Sequence, residues 1–395
     1  MSTLKVDAIR HNSATSDAIT MASDGTCTAK ITGMTGGGGL SNRNIIVNGD
    51  MRVAQRSVGP IAVSDNTNEG YQTIDRMRFG FGNSAAGACN ISQSTDAPTT
   101  LGFTKSHKTD VTTVNTTASG QQVIQMFYRI EGQDIRNSGW NHLSSSSFLT
   151  LSFYFKTTKT GTSKLPIMFR TRHGTNYYYV KNVTVTDPTN WNRYTVTIPG
   201  NSNIQIDDAN TVGMDINFTY YSGPDKDTSS EGSWGSTNAY STSESTNYFD
   251  STSNDMFITG IQLEVGDTAT SFEHKSEQEE LLRCYRYYYR MNGDNNKTYM
   301  AGMSDNDNQN IYGHFHFPVH MRTAPTGLDQ NGTAGHYKVR RDTTKSCTAV
   351  PTFVDALTFY ARVNFPSSGH GWGTGQMLWL QGGNASSYLG FSAEL

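Results

Sequence analysis

The sequence predicts an almost entirely β protein in which one short helix joins two β regions. Two observations predict this fold: apolar residues recur at every second position over most of the chain, and charged residues make up only 16% of it. An ordinary globular domain carries about 25% charged residues. Gly, Ser, Thr and Asn take up the difference and aromatic residues reach 11%, a composition typical of many short strands joined by polar turns.

Composition also argues against several functions. The formal net charge is −3, whereas nucleic-acid-binding proteins usually carry a basic patch. No apolar run approaches the ~20 residues that span a bilayer, and Met1–Asp7 lacks the apolar stretch of a signal peptide. The four cysteines stand singly, which favours free thiols over a disulfide framework or a zinc site. We expect synthesis in a reducing cytoplasm, with no cofactor, nucleic acid or membrane as partner.

Residues 1–40 form a separate unit. Two short strand candidates, Leu4–Ile9 and Ala18–Met21, precede a turn at Asp24-Gly25 and the flexible glycine run Gly36–Gly39. A segment this short cannot bury a core of its own, so it folds against a partner or against copies of itself. The sequence therefore predicts an N-terminal arm for attachment or oligomerisation.

Residues 41–275 show a period of two. In the clearest strand, Leu149, Leu151, Phe153 and Phe155 alternate with polar residues, and the same alternation recurs at 194–198, 214–220 and 261–265. A strand with one apolar face must pack that face against another sheet, so this region predicts a β-sandwich. Asn48-Gly49, after Ile45–Val47, predicts a hairpin-type turn.

A polar stretch at 221–256 interrupts the sandwich pattern. Its length is unusual inside a compact domain, and it contains Trp234 and Tyr240. Two interpretations stay open: a ligand-binding loop that offers these aromatic residues to a partner, or a solvated insertion. On the first interpretation, Trp234 and Tyr240 are candidate ligand-binding residues.

The connecting segment 276–292 carries the helix signals. Ser276 and Glu279 form a capping box, and apolar residues then recur at helical spacing, at Leu281, Cys284, Tyr285 and Tyr288. Asn292-Gly293 ends the pattern. We expect a helix over 276–290 whose tyrosines pack against copies of the chain.

Residues 293–395 predict a smaller C-terminal β domain. Phe315 and Phe317 alternate with His314 and His316, and further strand candidates are Leu357–Phe365, Gln376–Leu380 and Tyr388–Ala393. Gly369–Gly375 is a glycine-rich loop.

Candidate sites in this domain are few. Trp372 and His370 lie in the glycine-rich loop, where a ring can be presented to a ligand or can anchor its own loop. His314 and His316 face the same side of one strand, so three chains around an axis would offer six imidazoles to a metal. The simpler interpretation is a pair of exposed histidines, and we expect no metal.

Catalysis has weak support. Loop carboxylates such as Asp207, Asp208 and Asp215 are plentiful, but nothing distinguishes a glycosidase pair from solvated acids. The sequence also lacks the repeats of a parallel β-helix. We expect a protein that is not an enzyme.

Several segments, in order, resemble bacteriophage tail-fibre and related virion proteins. The most specific is Ile258–His274, which contains Gln-Leu-Glu-Val-Gly and Ala-Thr-Ser-Phe-Glu-His and runs into Glu279–Tyr288. The other landmarks are Asn44–Arg56, Asp75-Arg76, Tyr128–Gly132 and Trp191–Tyr194. Met77 departs from the pattern, since the family often has Trp there.

The resemblance implies a jelly-roll-like sandwich similar to carbohydrate-binding modules, in a trimeric tail fibre of a phage particle. Residues 1–40 would dock to other tail or virion proteins, and 293–395 would contact a host-surface glycan or protein. Two alternatives remain: a structural adaptor or capsid-decorating fibre without host contact, and a glycan-depolymerising tailspike. The landmark positions also suggest that Glu264 pairs with Arg52 or Arg129.

Overall fold

The structure is a computed structural model, and it describes residues 6–10, 12–13, 15, 17–21, 23, 27–29, 42–115, 120–305, 309–368 and 371–395. In the N-terminal region three short strands form an antiparallel sheet: β1 (Ala8–Ile9), β2 (Ile19–Met21) and β3 (Cys27–Ala29). Strands were predicted here, and strands this short bury little by themselves. The predicted turn at Asp24-Gly25 and the run Gly36–Gly39 lie outside the described residues.

The middle of the chain is a sandwich of two six-stranded antiparallel sheets. Its elements are β4 (Ile61–Ser64), β5 (Arg78–Gly82), β6 (Ala88–Ser94), β7 (Ser106–Thr113), β8 (Val123–Glu131), α1 (Gly132–Arg136), β9 (Phe148–Thr157), β10 (Ser163–Thr171), β11 (Tyr178–Val185), β12 (Asn192–Pro199), β13 (Val212–Ser222), β14 (Trp234–Gly235) and β15 (Asp255–Val265). The front sheet has the order β14-β11-β10-β13-β8-β5, and the back sheet has the order β12-β9-β15-β7-β6-β4. Two turns of 3-10 helix lie at Thr99–Leu101 and Pro224–Lys226.

The sandwich core lies between the two sheets. Leu149, Leu151, Phe153 and Phe155 of β9 are all fully buried, as their alternation predicts. The ring of Phe153 meets that of Phe218, from the opposite sheet, edge-on at 5.0 Å. Thr150 and Ser152 between them are buried as well. The Thr150 hydroxyl donates to the Gly266 carbonyl at 2.8 Å, because the chain after β15 passes over this face.

The polar stretch before β15 packs on the outer face of the front sheet. Tyr240 and Ala239 form a buried cluster there with Met168, Tyr178 and Val180. Tyr248 and Phe249, farther along, are fully buried in the main core. The aromatic residues of this stretch therefore fasten it to the sandwich.

The rest of the chain forms a helix and a second β domain. Its elements are α2 (Glu277–Tyr285), β16 (Tyr288–Asn292), β17 (Thr298–Ser304), β18 (Ile311–His316), a 3-10 turn (Ala334–His336), β19 (Tyr337–Arg340), β20 (Thr344–Ser346), β21 (Thr352–Leu357), β22 (Tyr360–Asn364), β23 (Met377–Gly382) and β24 (Tyr388–Ser392). Seven strands make one antiparallel sheet in the order β20-β19-β23-β17-β18-β22-β21, and β16 pairs with β24. Among the described residues, neither α-helix is long and apolar enough to cross a membrane.

Three local predictions are wrong in detail. The helix begins as predicted, with the Ser276 hydroxyl accepting a hydrogen bond from Glu279 N at 3.2 Å, but it ends at Tyr285. Tyr288 begins a strand instead, because β24 supplies a partner that local spacing cannot show. The single strand predicted over 357–365 instead contains the end of β21, a turn and β22, which pair as a hairpin. The turn at Asn48-Gly49 exists but packs against β15, since Ile261 N donates to Gly49 O at 2.9 Å.

Candidate recognition surface

Three of the landmark segments meet at one buried junction: Tyr128–Gly132, Asp75-Arg76 and the end of Glu279–Tyr288. Glu131, at the end of β8, accepts hydrogen bonds from Arg286 Nε and Nη2 at 2.8 and 2.7 Å and from the Tyr287 hydroxyl at 2.6 Å. Burial would raise the pKa of Glu131, but these hydrogen bonds hold it below its ordinary value. The ion pair joins the sandwich to the residues that follow α2.

Arg76 is the second centre of this junction. Its guanidinium is fully buried, pairs with the Glu394 carboxylate and lies 3.6 Å from the centre of the Tyr287 ring. The Arg129 carbonyl accepts a further hydrogen bond from Arg76 Nη2 at 2.5 Å. These contacts hold the end of the chain against the sandwich, so the landmarks have a structural role.

The expected pairing of Glu264 with Arg52 or Arg129 is wrong. Glu264 lies 3.6 Å from Arg43 Nε and accepts hydrogen bonds from the backbone nitrogen and hydroxyl of Thr270 at 2.9 and 2.6 Å. Arg52 and Arg129 lie instead against other carboxylates, those of Asp50 at 3.2 Å and Asp215 at 3.4 Å. The chain after β15 folds back and supplies the nearer donors.

The structure does not support Trp372 as an exposed ligand-binding residue. Its side chain is only 5% exposed and lies in the core of the C-terminal domain. Burial of a large apolar ring is favourable, and here it anchors the glycine-rich loop. His370 lies outside the described residues.

Trp234 and Tyr240 are also packing residues. Trp234 Nε1 donates to the Pro199 carbonyl at 2.8 Å, and its ring lies 5.4 Å from that of Tyr179. Tyr240 is buried, and its hydroxyl accepts a hydrogen bond from Arg170 at 3.4 Å. Tyr240 is buried and Trp234 is half-buried, so both rings serve to hold this stretch on the sandwich.

The surface that the sequence analysis missed is the outer face of the seven-stranded sheet. Met303, Met377 and Trp379 are 55%, 66% and 50% exposed, although each lies within a strand. Met303 is the cross-strand partner of both Met377 and Tyr312. The only signal was the run Met377–Leu380, in which every residue is apolar, so both faces of that strand are apolar.

A trough of about 480 Å³ runs along this face. Its lining consists of Ala301, Gly302, Met303, Ser304, Asp305, Tyr312, His314, Arg362 and Met377. Arg362 Nη2 donates to Asp355 at 2.7 Å and lies 5.6 Å from the Tyr312 ring, which fixes the polar end. Apolar thioethers and a ring beside hydrogen-bonding groups suit the apolar and hydroxyl faces of a sugar.

His314 and His316 lie on this face, as predicted. Both are exposed, at 6.0 and 6.4 Å from the Tyr360 ring, while Phe315 points into the core. Within the described part of the chain, no group of three or more metal-ligating side chains lies together. His314 belongs to the trough lining, where its imidazole can hydrogen-bond to a ligand.

Two larger clefts at the domain junction are less suited to sugar. In one, of about 670 Å³, Arg283 and Arg286 bind Glu280 and Glu131. In the other, of about 640 Å³, arginines cover the aromatic faces: Arg56 lies 3.6 Å above Tyr288 and Arg290 lies 3.7 Å above Tyr388. The first cleft also has exposed apolar residues, Val265 and Leu282, but Met303 and Met377 of the trough are more exposed.

Comparisons with known proteins give distant likenesses. No protein-family model and no curated protein matches the chain. Among solved structures, it is similar to the enzymatically active domain of tailspike protein 4 of bacteriophage CBA120, with 11% identity over 57% of this chain and a TM-score of 0.29. The chain spans 22% of the length of that tailspike.

Carbohydrate-binding modules appear in the same comparison. A structure described as CBM4 matches at 9% identity and a TM-score of 0.29 over 55% of this chain and 98% of its own. The family 11 module from Clostridium thermocellum matches at 10% identity and a TM-score of 0.27 over 53% of this chain and 96% of its own. Since every TM-score is below 0.5, we base no inference on these likenesses. The all-β sandwich itself is plain from the strand pairing.

Proposed function

We propose that the chain is a non-enzymatic component of a bacteriophage particle, a short self-associating tail fibre that binds a bacterial surface glycan through the trough. The observation that carries the proposal is the trough itself, with exposed Met303 and Met377 and half-buried Tyr312 beside Arg362 and His314. Contiguous apolar groups on a surface mark interaction sites, because their exposure to water is unfavourable. The phage particle is proposed because the landmark motifs resemble those of bacteriophage tail-fibre and related virion proteins.

The way the C-terminal domain is mounted supports a role in recognition. The Glu131–Arg286 and Arg76–Glu394 pairs fasten it to the sandwich. Arg322 adds hydrogen bonds at 2.8 Å to the carbonyls of Asn210 and Glu394. A binding surface held by so many contacts is preorganised, so less entropy is lost when a ligand binds.

Attachment belongs to the opposite end of the chain in this proposal. The strands β1–β3 are two or three residues long and form a small sheet of their own. Such a sheet gains stability mainly from partners. We assign residues 1–40 to docking on other tail or virion proteins and to self-association, with a trimer as the expected state.

Glycan-array binding of the purified protein tests the function. On an array of bacterial surface glycans, the double variant Tyr312→Ser, Met377→Ser should bind at least tenfold more weakly than the wild type. Leu357→Ser is the matched control, because Leu357 is exposed on the edge strand β21 outside the trough. Equal binding by wild type and double variant would overturn the assignment.

One observation favours a second candidate, a structural adaptor without host contact. The two methionines of the trough suit a protein partner as well as a sugar, because thioethers adapt to many shapes. An adaptor would bind no glycan on the array, and the double variant would impair particle assembly while adsorption of assembled particles stayed normal. A depolymerase would instead release reducing ends from capsular extract, and we expect none.

A further inference from the structure

Four arginines lie together on the outer face of the front sheet, far along the chain from the trough. This arginine cluster consists of Arg78, Arg129, Arg170 and Arg172. Asp215 on β13 is the cross-strand neighbour of Arg170 on β10 and of Arg129 on β8. Arg172 follows Arg170 by two positions, and Arg78 is paired with Phe127, two positions before Arg129. The period of two places all four side chains on one face.

One buried carboxylate serves three of the four arginines. Asp215 is fully buried and accepts a hydrogen bond from Arg170 Nε at 2.8 Å. The Nε atoms of Arg129 and Arg172 lie 3.4 and 3.8 Å from its oxygens. Over the described ranges, Asp215 is the sole acidic side chain within 4 Å of these guanidiniums. Three of the four arginines lie within 4 Å of this one carboxylate, and Arg129 Nη1 also donates to the Leu395 carbonyl oxygen at 2.7 Å, so positive charge is in excess.

The electrostatic consequences are visible in the pKa values. Burial, together with neighbouring arginines, lowers the pKa of Arg172 and of Arg129. A lowered pKa means that the surroundings disfavour the charged form. An added anion would relieve that repulsion, and arginine guanidiniums bind planar oxyanions through paired hydrogen bonds.

The cluster is open to solvent on one side. The Arg172 side chain is 31% exposed, while Arg170 and Arg129 are more covered. Arg78 lies 5.1 Å from the Phe127 ring and 5.9 Å from the Tyr71 ring. Phe127 is only 6% exposed and lies under Arg78 and Arg129, so the open side of the cluster offers guanidinium N–H groups to a ligand.

We propose that the arginine cluster is an oxyanion site for an acidic sugar, one that carries a carboxylate or a phosphate group. The site is separate from the trough and on another domain, so it adds an acidic-glycan specificity that the proposed function does not include. Arg172 and Arg78 supply the free charge, and Asp215 holds Arg170 and Arg129 in place.

Isothermal titration of the full chain tests the site with three probes: glucuronate, glucose 6-phosphate and glucose. We expect one or both charged probes to bind at least tenfold more tightly than glucose, and the two charged probes distinguish a carboxylate site from a phosphate site. Arg172→Gln and Arg78→Gln should each weaken binding of the charged probe about tenfold, and Arg172→Lys should weaken it less.

The matched control is Arg341→Gln, an exposed arginine of the C-terminal domain. It should bind the charged probe like the wild type, and circular dichroism checks that every variant is folded. Equal affinity for charged probes and glucose would overturn the proposal, as would unchanged binding in both Gln variants. The trough variant Tyr312→Ser, Met377→Ser should keep this binding, so the failure of one proposal is distinguishable from the failure of the other.

Discussion

The carboxylate of Glu131 and the guanidinium of Arg286 form a bidentate ion pair at the junction between the two large β domains, with N–O distances of 2.8 and 2.7 Å. Glu131 has a fully buried side chain at the end of β8, and Arg286 follows the last residue of α2 directly. The Tyr287 hydroxyl donates to the same carboxylate. One acid therefore fixes where the chain leaves the helix and enters the C-terminal domain.

Replacing this acid should destabilise the whole chain. Glu131→Gln keeps the shape of the side chain but removes its charge, so Arg286 and Tyr287 lose a charged acceptor, a loss of about 2 kcal/mol in the free energy of unfolding. Urea denaturation measures it. Glu244→Gln is the control, because Glu244 pairs with Lys164 at the exposed surface and should change stability by less than about 0.5 kcal/mol. Equal effects of the two substitutions would contradict the prediction.

The buried histidine of the sandwich should make stability depend on pH. His107 is almost fully buried, and burial lowers its pKa to about 4, from 6.5. The unfolded chain takes up a proton below pH 6.5 and the folded chain does not, so the stability contribution is complete above pH 6.5 and falls as the pH drops towards 4. The loss amounts to about 3 kcal/mol.

A variant isolates this contribution from those of other groups. His107→Phe keeps a ring in stacking distance of Phe79, whose centre lies 6.3 Å away, but cannot take up a proton. The difference in unfolding free energy between wild type and variant should change by about 3 kcal/mol between pH 7 and pH 4. His316→Asn, at the exposed face of β18, should follow the wild type. A constant difference between wild type and His107→Phe would refute the assignment.

How far the sequence predicts the fold depends on whether a signal is local. The period of two over Leu149–Phe155 places a strand and its buried face correctly, and the capping box at Ser276 marks the helix start. The helix end at Tyr285 was missed because β24, about 100 residues later, pairs with Tyr288–Asn292. Strand pairing at that distance leaves no trace in a local pattern.

The candidate site was harder to predict, because exposure is a property of the folded chain. Trp372 and Trp379 are seven residues apart, and the glycines around Trp372 predict a loop that can present its ring to solvent. The loop instead turns its ring into the core, while Trp379 points outward from the middle of a strand. Likewise, spacing alone cannot show that Asp215 lies among arginines from two other strands.

Gly49 should tolerate no side chain. A Cβ atom placed there would lie 2.1 Å from the Ile261 carbonyl oxygen, a backbone atom within the paired strand β15. Gly49→Ala must therefore displace either the turn or the strand, at a cost of about 2–3 kcal/mol in the free energy of unfolding. Gly327→Ala is the control, since nothing lies within 4 Å of its added Cβ. Thermal denaturation that shows equal melting temperatures for the two variants would disprove the clash.

The two tryptophans of the C-terminal domain give a matched test of core against surface. Trp372→Ala leaves a cavity in the core cluster that contains Phe365 and Leu378, and should lower the free energy of unfolding by about 3–5 kcal/mol. Trp379→Ala removes a ring that is half exposed, and should cost less than about 1 kcal/mol. Urea denaturation followed by circular dichroism measures both. The opposite order of stabilities would mean that the glycine-rich loop holds its ring outside the core in solution, and Trp372 would then return as a candidate for ligand binding.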